Sequence, residues 1–344
     1  MNVERTRLWA DLQHAPDVLR RTLAARDGIT SAAGLLRSGK VRRLVAVGNG
    51  ASSYIAQALW LASLESPGTA PVQVTAVPAG LLTTDRFHWE AGDAMLAISA
   101  SGEARDLISA MRGLPKGVSR LALTASPEST IASLADAVIQ VADAPLDSLT
   151  HSHPYQGAVA AALATWAEAT DDDTLRAALA TTAEEVAERT AGATAWADRV
   201  LEGHDLPTAF FAFGSGTGWA AALEASLLVK ELAQVPGEGV ELREAATTVM
   251  TTLKPGHLVV DLTPGAPGAE ETEEACSGRG ARVVRTGAVP DTRVSPITSF
   301  PELAALALRL TFASGLDPDA PAWSDTYFEV ARHKVSATPV PTGR

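Results

Sequence analysis

Cysteine is almost absent. Cys276 stands alone among 344 residues, so no internal disulfide can form, and no CxxC pair or clustered His and Cys offers a structural zinc site. A chain of this kind suits a reducing compartment, and the cytoplasm is the expected location. Basic charge is also scarce, with 28 Lys and Arg against 40 Asp and Glu and a formal charge of −12. No basic stripe interleaves with aromatics, which removes nucleic acid from the expected partners. Long apolar runs are missing too. The longest, Gly157 to Ala167, is Ala-rich and well short of the roughly twenty residues that cross a bilayer, so no membrane partner is expected. The opening MNVERTRLWADLQ is charged from Glu4 onward and lacks the apolar core of a secretory signal. The seven His residues show neither HxxEH nor HExxH spacing, and no GxSxG elbow or P-loop occurs, so neither a catalytic metal nor a cofactor is expected.

What is present is apolar material in ordinary proportion, 46% of a chain whose length corresponds to roughly two domains. An internal repeat organises it. VRRLVAVGNGASSYIAQALWLA (41 to 62) has the layout of LPTAFFAFGSGTGWAAALEASL (206 to 227), an apolar strand, a Gly-x-Gly turn and a helix. GDAMLAISASGEARDLISAMRG from Gly92 parallels GHLVVDLTPGAPGAEETEEACS from Gly256. The offsets are 166 from Gly48 to Gly214, 164 from Gly92 to Gly256 and 162 from Arg120 to Arg282. Such near-constancy indicates a duplicated domain.

Apolar runs at 44–47, 72–77, 94–98, 120–124 and 137–141 alternate with helical patterns. Continuous apolar strands are buried on both faces, and alternation with helices gives right-handed crossovers in a parallel sheet. The expected fold is therefore α/β, two doubly wound α/β/α domains in tandem. Domain one is placed at 28–165 and domain two at 200–330, with flanking helices within 1–27 and 166–199 and a tail at 331–344. In open parallel sheets ligands bind beyond the carboxyl ends of the strands.

Two turns fall at that edge. Gly48-Asn49-Gly50-Ala51-Ser52-Ser53 joins a strand to a helix. Its Gly residues let the backbone approach a ligand, while the helix start and the hydroxyls of Ser52 and Ser53 supply donors for an anion. The alternative reading is a plain turn capped by Ser52. The dinucleotide fingerprint is excluded, since GNGASS lacks the third Gly. The second turn, Ser99-Ala100-Ser101-Gly102-Glu103, places two hydroxyls two residues apart beside a Gly, where they can converge on one phosphate. Glu103 is expected in the first helical turn, where the dipole favours it.

SxSGE preceded by such a turn resembles the sugar isomerase (SIS) domain family. The tandem arrangement resembles the isomerase half of glucosamine-6-phosphate synthase and its stand-alone relatives, and the likeness includes the QHAP segment at Gln13 to Pro16. The resemblance implies a homodimer that binds a phosphosugar, with Gly50, Ser52, Ser53, Ser99, Ser101 and Gly102 around the phosphate. ALEASLLVKELAQVPGEGVELREA (222 to 245), read as the opening helix of domain two, matches the family's ALEGALKLKE, whose last Glu moves a proton between adjacent sugar carbons. Glu231 takes that position. By residue type alone, Glu231 is simply an acid on a solvated helix face. HKVSAT (333 to 338) matches the terminal loop whose Lys contacts the sugar, which assigns Lys334 as the second catalytic residue, although a tail lysine is otherwise only solvated.

The departures bear on activity. Thr247 stands where the family has a ring-opening His, Leu228 replaces a family Lys, and Ala104 closes the SxSGE turn in place of Thr. His151 and His153, in LTHSHPY, are the available proton donors; the same HSH also reads as a polar loop without a role. The implied activity is isomerisation or deamination of a phosphosugar, an amino-sugar phosphate in the first instance, through an enediol or enolamine. The alternative is a regulatory protein that kept the phosphate cradle and lost catalysis. A third reading is a substrate already open, for which a ring-opening His is unnecessary.

Overall fold

The computed structural model describes residues 2–66, 70–82 and 87–329. In the first lobe β1 (Arg43–Gly48), β2 (Gln73–Pro78), β3 (Asp93–Ile98), β4 (Ser119–Thr124) and β5 (Ala137–Gln140) form a parallel sheet in the order β2-β1-β3-β4-β5. Each expected apolar run falls on one of them. Alternate residues separate cleanly between two cores: Leu44, Ala46, Leu96 and Ile98 face one apolar cluster, and Val45, Val47, Met95 and Ala97 face another. Burial on both faces requires helices above and below, which makes the lobe three-layered.

Among the described residues, the helices of nine residues or more are α1 (Ala15–Ala24), α2 (Arg26–Arg37), α3 (Ala51–Leu64), α4 (Arg105–Gly113), α5 (His153–Thr170), α6 (Asp173–Leu201), α7 (Gly218–Leu228), α8 (Ala269–Gly278) and α9 (Phe300–Ala313). None is long and apolar enough to cross a membrane. The second lobe holds β6 (Ala209–Gly214), β7 (Gly237–Glu241), β8 (His257–Asp261) and β9 (Arg282–Arg285), parallel and ordered β7-β6-β8-β9. Gly48 ends β1 as Gly214 ends β6, so the first four strands of one lobe have counterparts in the other. β5 has none among the described residues. In both sheets the order reverses beside the first strand, and the crevice for a ligand lies there.

One apolar cluster serves the facing sides of both sheets. At its centre is α5, with 16 of its 18 residues buried, as an Ala-rich helix apolar on every side demands. α5 runs unbroken across the 165/166 boundary read from the sequence, and Gln156 Nε2 donates to the Ile297 carbonyl of the second lobe at 2.9 Å. The lobes therefore share their central layer.

The segment 222 to 245 is not one helix. α7 ends at Leu228, a π-helical turn covers Val229–Ala233, Gln234 is left-handed at φ 54°, and the chain re-enters the sheet as β7. GEGVE has poor strand propensity, and packing decides its conformation. A Cβ on Gly239 would lie 2.2 Å from the Ala222 carbonyl oxygen of α7, so only glycine admits the strand there. Gly239→Ala is expected to destabilise the protein by about 2 kcal/mol through overpacking against backbone, read as a lower urea midpoint with unchanged m.

Candidate functional site

The first turn closes tightly. A Cβ on Gly48 would meet the Ser52 backbone at 2.5 Å, whereas Gly50, at φ +52°, has open space above it. α3 carries no side-chain cap. The cap position is Gly50, so the Ser52 hydroxyl is not spent on helix capping. Ser53 is buried behind it.

The second turn is pinned from beneath. Ser99 N–H donates to the Leu123 carbonyl at 3.1 Å, and Ser99 Oγ accepts from Gly102 N–H at 3.1 Å. Gly102 has φ +67°, and a Cβ there would fall 2.0 Å from Ser129 Oγ, so both conformation and space require glycine. Ser101 is exposed, its Oγ accepting from Glu103 N–H at 3.3 Å. Glu103 does not occupy the first turn of a helix. α4 begins at Arg105, and the Glu103 carboxylate accepts from Thr130 N–H and Oγ–H at 2.7 and 2.8 Å, which holds its pKa below the ordinary value. Its task is to fasten the second turn to the short helix Thr130–Ser133.

A small open pocket sits at these carboxyl ends, its wall including Ser52, Ala100, Thr124, Ala125, His151 and Tyr155. Ser99 and Ser101 flank the wall residue Ala100 in sequence. A third bend, Thr124-Ala125-Ser126, completes the edge: Thr124 Oγ and Ala125 N–H both donate to the Ala100 carbonyl, at 3.1 and 3.2 Å. Small hydroxyl residues directly after β4 were the available signal for this bend.

An acid of the second lobe reaches the segment next to this wall, although it does not itself line the pocket. Glu231 lies in the π-helical turn, whose widened backbone changes the direction of a side chain relative to an α-helix. Its Oε2 accepts from Thr150 Oγ at 3.0 Å, on the residue preceding His151, and Trp323 Nε1 donates to its backbone carbonyl at 2.6 Å. Burial raises the Glu231 pKa to about 6, against the Thr150 hydrogen bond and the Lys230 charge, which both lower it. Glu224 lies two turns earlier, buried, with Oε2 unpartnered, and burial followed by the Glu231 charge pushes its pKa well above the carboxylate range. Tyr155, buried in the pocket wall with its hydroxyl unpartnered, and Tyr54 both titrate above the ordinary tyrosine value, through burial first and the Glu224 charge second. The sequence assigns no role to Thr150, Tyr54 or Tyr155, and places Glu224 beside Glu231 on the 222–245 segment without giving it one. Leu228, in place of the family Lys, is buried at the end of α7 and leaves the two acids without a cation at that position.

The two His residues separate. His151 stands at the pocket wall, its pKa lowered by burial. His153 starts α5 with Nε2 2.9 Å from the Pro145 carbonyl oxygen and its ring edge-on to His14. Thr247 is exposed on the second lobe, its hydroxyl donating to the Arg243 carbonyl at 2.9 Å. Lys334 lies outside the described residues. Among the described residues no group of three or more His, Cys, Asp or Glu is arranged to hold a metal ion.

The raised acid has a consequence for stability. An unfolded Glu titrates near 4.5 and native Glu231 near 6, so between these values the native state holds the extra proton and stability falls as pH rises. The loss amounts to about 2 kcal/mol once both states are ionised, with Glu224 acting in the same direction. Glu231→Gln is expected to remove this part of the slope in urea unfolding curves taken from about pH 4 to about pH 8.

Residues 39–166 match the family model of the SIS domain. Over 90% of its length the chain is 26% identical to glutamine–fructose-6-phosphate aminotransferase [isomerizing] of Methanothermobacter thermautotrophicus, and it spans 55% of that relative. The C-terminal domain of glucosamine-fructose-6-phosphate aminotransferase from Francisella tularensis superposes with a TM-score of 0.76 at 15% identity, covering 91% of this chain and 97% of that one. Glucosamine-6-phosphate deaminase from Thermotoga maritima does so with a TM-score of 0.72 at 17% identity, covering 92% and 98%. At these identities the structural likeness establishes the fold.

Proposed function

The chain carries a SIS domain over residues 39–166, and from that premise we propose that it binds a phosphosugar, in the first instance an amino-sugar phosphate, and isomerises or deaminates it by proton transfer. The observation that carries this reading is the Thr150–Glu231 hydrogen bond, which ties a raised-pKa carboxylate of one lobe to the residue preceding His151 in the pocket wall of the other. In the proposed complex the backbone N–H groups near Gly50 and Gly102 and the hydroxyls of Ser52, Ser53, Ser99 and Ser101 hold the ester. The phosphate anchors the molecule remotely, and its binding energy aligns the reacting carbons.

Glu231 then removes the proton from C2 of the open aldose. The C–H electrons form the C1–C2 double bond as the carbonyl oxygen takes a proton from the donor; Glu231 then returns its proton to C1 while the C2 hydroxyl or amino group gives one proton back to the donor. With an amino group on C2 the product is a ketimine, which water hydrolyses to ketose and ammonia. His151, at the pocket wall, is the assigned donor to the sugar oxygen. Lys334 is assigned to the developing oxyanion. The relatives' names support the substrate class, since fructose 6-phosphate and glucosamine 6-phosphate figure in them. The active form is assigned as a homodimer, which light scattering tests.

The test is hydrogen exchange at C2 of glucosamine 6-phosphate and C1 of fructose 6-phosphate in deuterated water, followed by NMR. Enzyme-dependent deuterium incorporation supports the reading. Binding of these esters without incorporation establishes the regulatory alternative instead.

A further inference from the structure

The duplication provides an internal control on the anion turn. Gly214-Ser215-Gly216-Thr217-Gly218 is the counterpart of Gly48-Asn49-Gly50-Ala51-Ser52 at an offset of 166, and Gly50 and Gly216 share the same φ of +52°. The space above them differs. A Cβ on Gly50 would meet nothing within 4 Å, whereas a Cβ on Gly216 would lie 1.7 Å from Oε1 of Glu65 and 2.6 Å from its carboxyl carbon. Thr217 N–H donates to that oxygen at 3.0 Å. Glu65 as a residue is exposed, yet its carboxyl end is enclosed enough that burial, with the Asp291 charge as a smaller contribution, raises its pKa, while the Thr217 N–H and the Arg293 charge favour the ionised form.

We propose that Glu65 is a positioning residue whose carboxylate fills the lobe-two turn as a built-in anion, fixing the base-bearing helix relative to the substrate turn. Glu65 is the C-cap of α3, the helix that starts at the first anion turn. α7 starts in the turn that Glu65 fills and leads directly into the π-helical turn carrying Glu231. The two helices also meet through Trp60 and Trp219, with ring centroids 6.4 Å apart. Two helices, joined end to end by this carboxylate and side by side by the Trp pair, thus run from Ser52 to the π-helical turn of Glu231. A side-chain shift of an ångström at the joint is transmitted to the distance between phosphate and base, and such misplacement lowers chemistry more than binding. The catalytic part of the proposal rests on the function given above; the anion-filled joint does not.

Glu65→Ala and Glu65→Asp provide the test, with added formate as a small carboxylate and formamide as its uncharged analogue. The thermal midpoint of E65A is expected to fall by about 2–4 °C and to be restored by formate but not by formamide. In the C2 exchange assay with glucosamine 6-phosphate, kcat is expected to drop by about tenfold or more with KM within about threefold, and formate is expected to recover kcat. E65D keeps the charge but falls one methylene short of Thr217, and it is expected to show the same KM-neutral loss if E65A does not fold. Wild-type midpoint and kcat in E65A, wild-type kcat in E65D, or equal recovery with formamide would overturn the proposal. The thermal arm needs no turnover, so a wild-type protein without exchange defeats the assigned function while still testing the joint.

Discussion

Replacing Glu231 by Gln is expected to lower the rate of C2 exchange in glucosamine 6-phosphate by about 10³–10⁴, at the upper end of what a positioned general base contributes. The substitution preserves shape and leaves Thr150 a carbonyl oxygen to donate to, so the pocket wall at His151 keeps its form. Binding measured by calorimetry is expected to change by less than about threefold, because in the proposed complex the ester is held at the first-lobe turns and not at the acid. In the wild-type protein the exchange rate is expected to rise with pH through about 6, where Glu231 becomes ionised. Glu231 receives its proton affinity chiefly from burial and yields part of it to Thr150 and Lys230, so Thr150→Val is expected to move this inflection upward. A Glu231→Gln protein that exchanges at the wild-type rate, or an inflection unmoved by Thr150→Val, would remove Glu231 from the chemistry.

The second large effect is expected on binding. Ser99→Ala combined with Ser101→Ala is expected to weaken glucosamine 6-phosphate by about a hundredfold or more, since each hydrogen bond to a charged group is worth about 1.5–3 kcal/mol. Ser99 has two roles to separate. Its Oγ accepts from Gly102 N–H at 3.1 Å in a buried position and so helps form the turn, whereas the corresponding bond from Glu103 N–H to Ser101 Oγ is longer, 3.3 Å, and exposed to solvent, where water can replace it. Ser101→Ala alone is therefore expected to reduce affinity without changing thermal stability, and Ser99→Ala to reduce both. Neither change is expected to alter the pH at which exchange begins. Unaltered affinity in the double variant would show that the ester binds elsewhere.

Much of the architecture was legible because it depends on local repetition. The strand at 94–98 is apolar at every position, which only a doubly covered sheet permits, and the offsets between Gly48 and Gly214 and between Gly92 and Gly256 announce the duplication. The two strand-to-helix turns were equally plain, because Gly50 and Gly102 are needed for local conformation. What could not be read arises from contacts between distant segments. β7 is a strand only because Gly239 fits under Ala222, and the lobe boundary near 165 vanishes because α5 is shared by both halves. Glu103 behaves likewise, since nothing in SxSGE reveals that Thr130 will claim its carboxylate. Glu65 and Thr150 each act across a gap in sequence, 152 residues from Thr217 and 81 from Glu231. Their roles appear only when the two lobes stand side by side.

A crystal structure of the protein with glucosamine 6-phosphate bound addresses the central claim most directly. The account predicts ester oxygens accepting from Ser52, Ser99 and Ser101 in the first lobe, with C2 about 3–3.5 Å from a Glu231 carboxylate oxygen. An ester held at any other surface, or a sugar whose C2 points away from the second lobe, would contradict it.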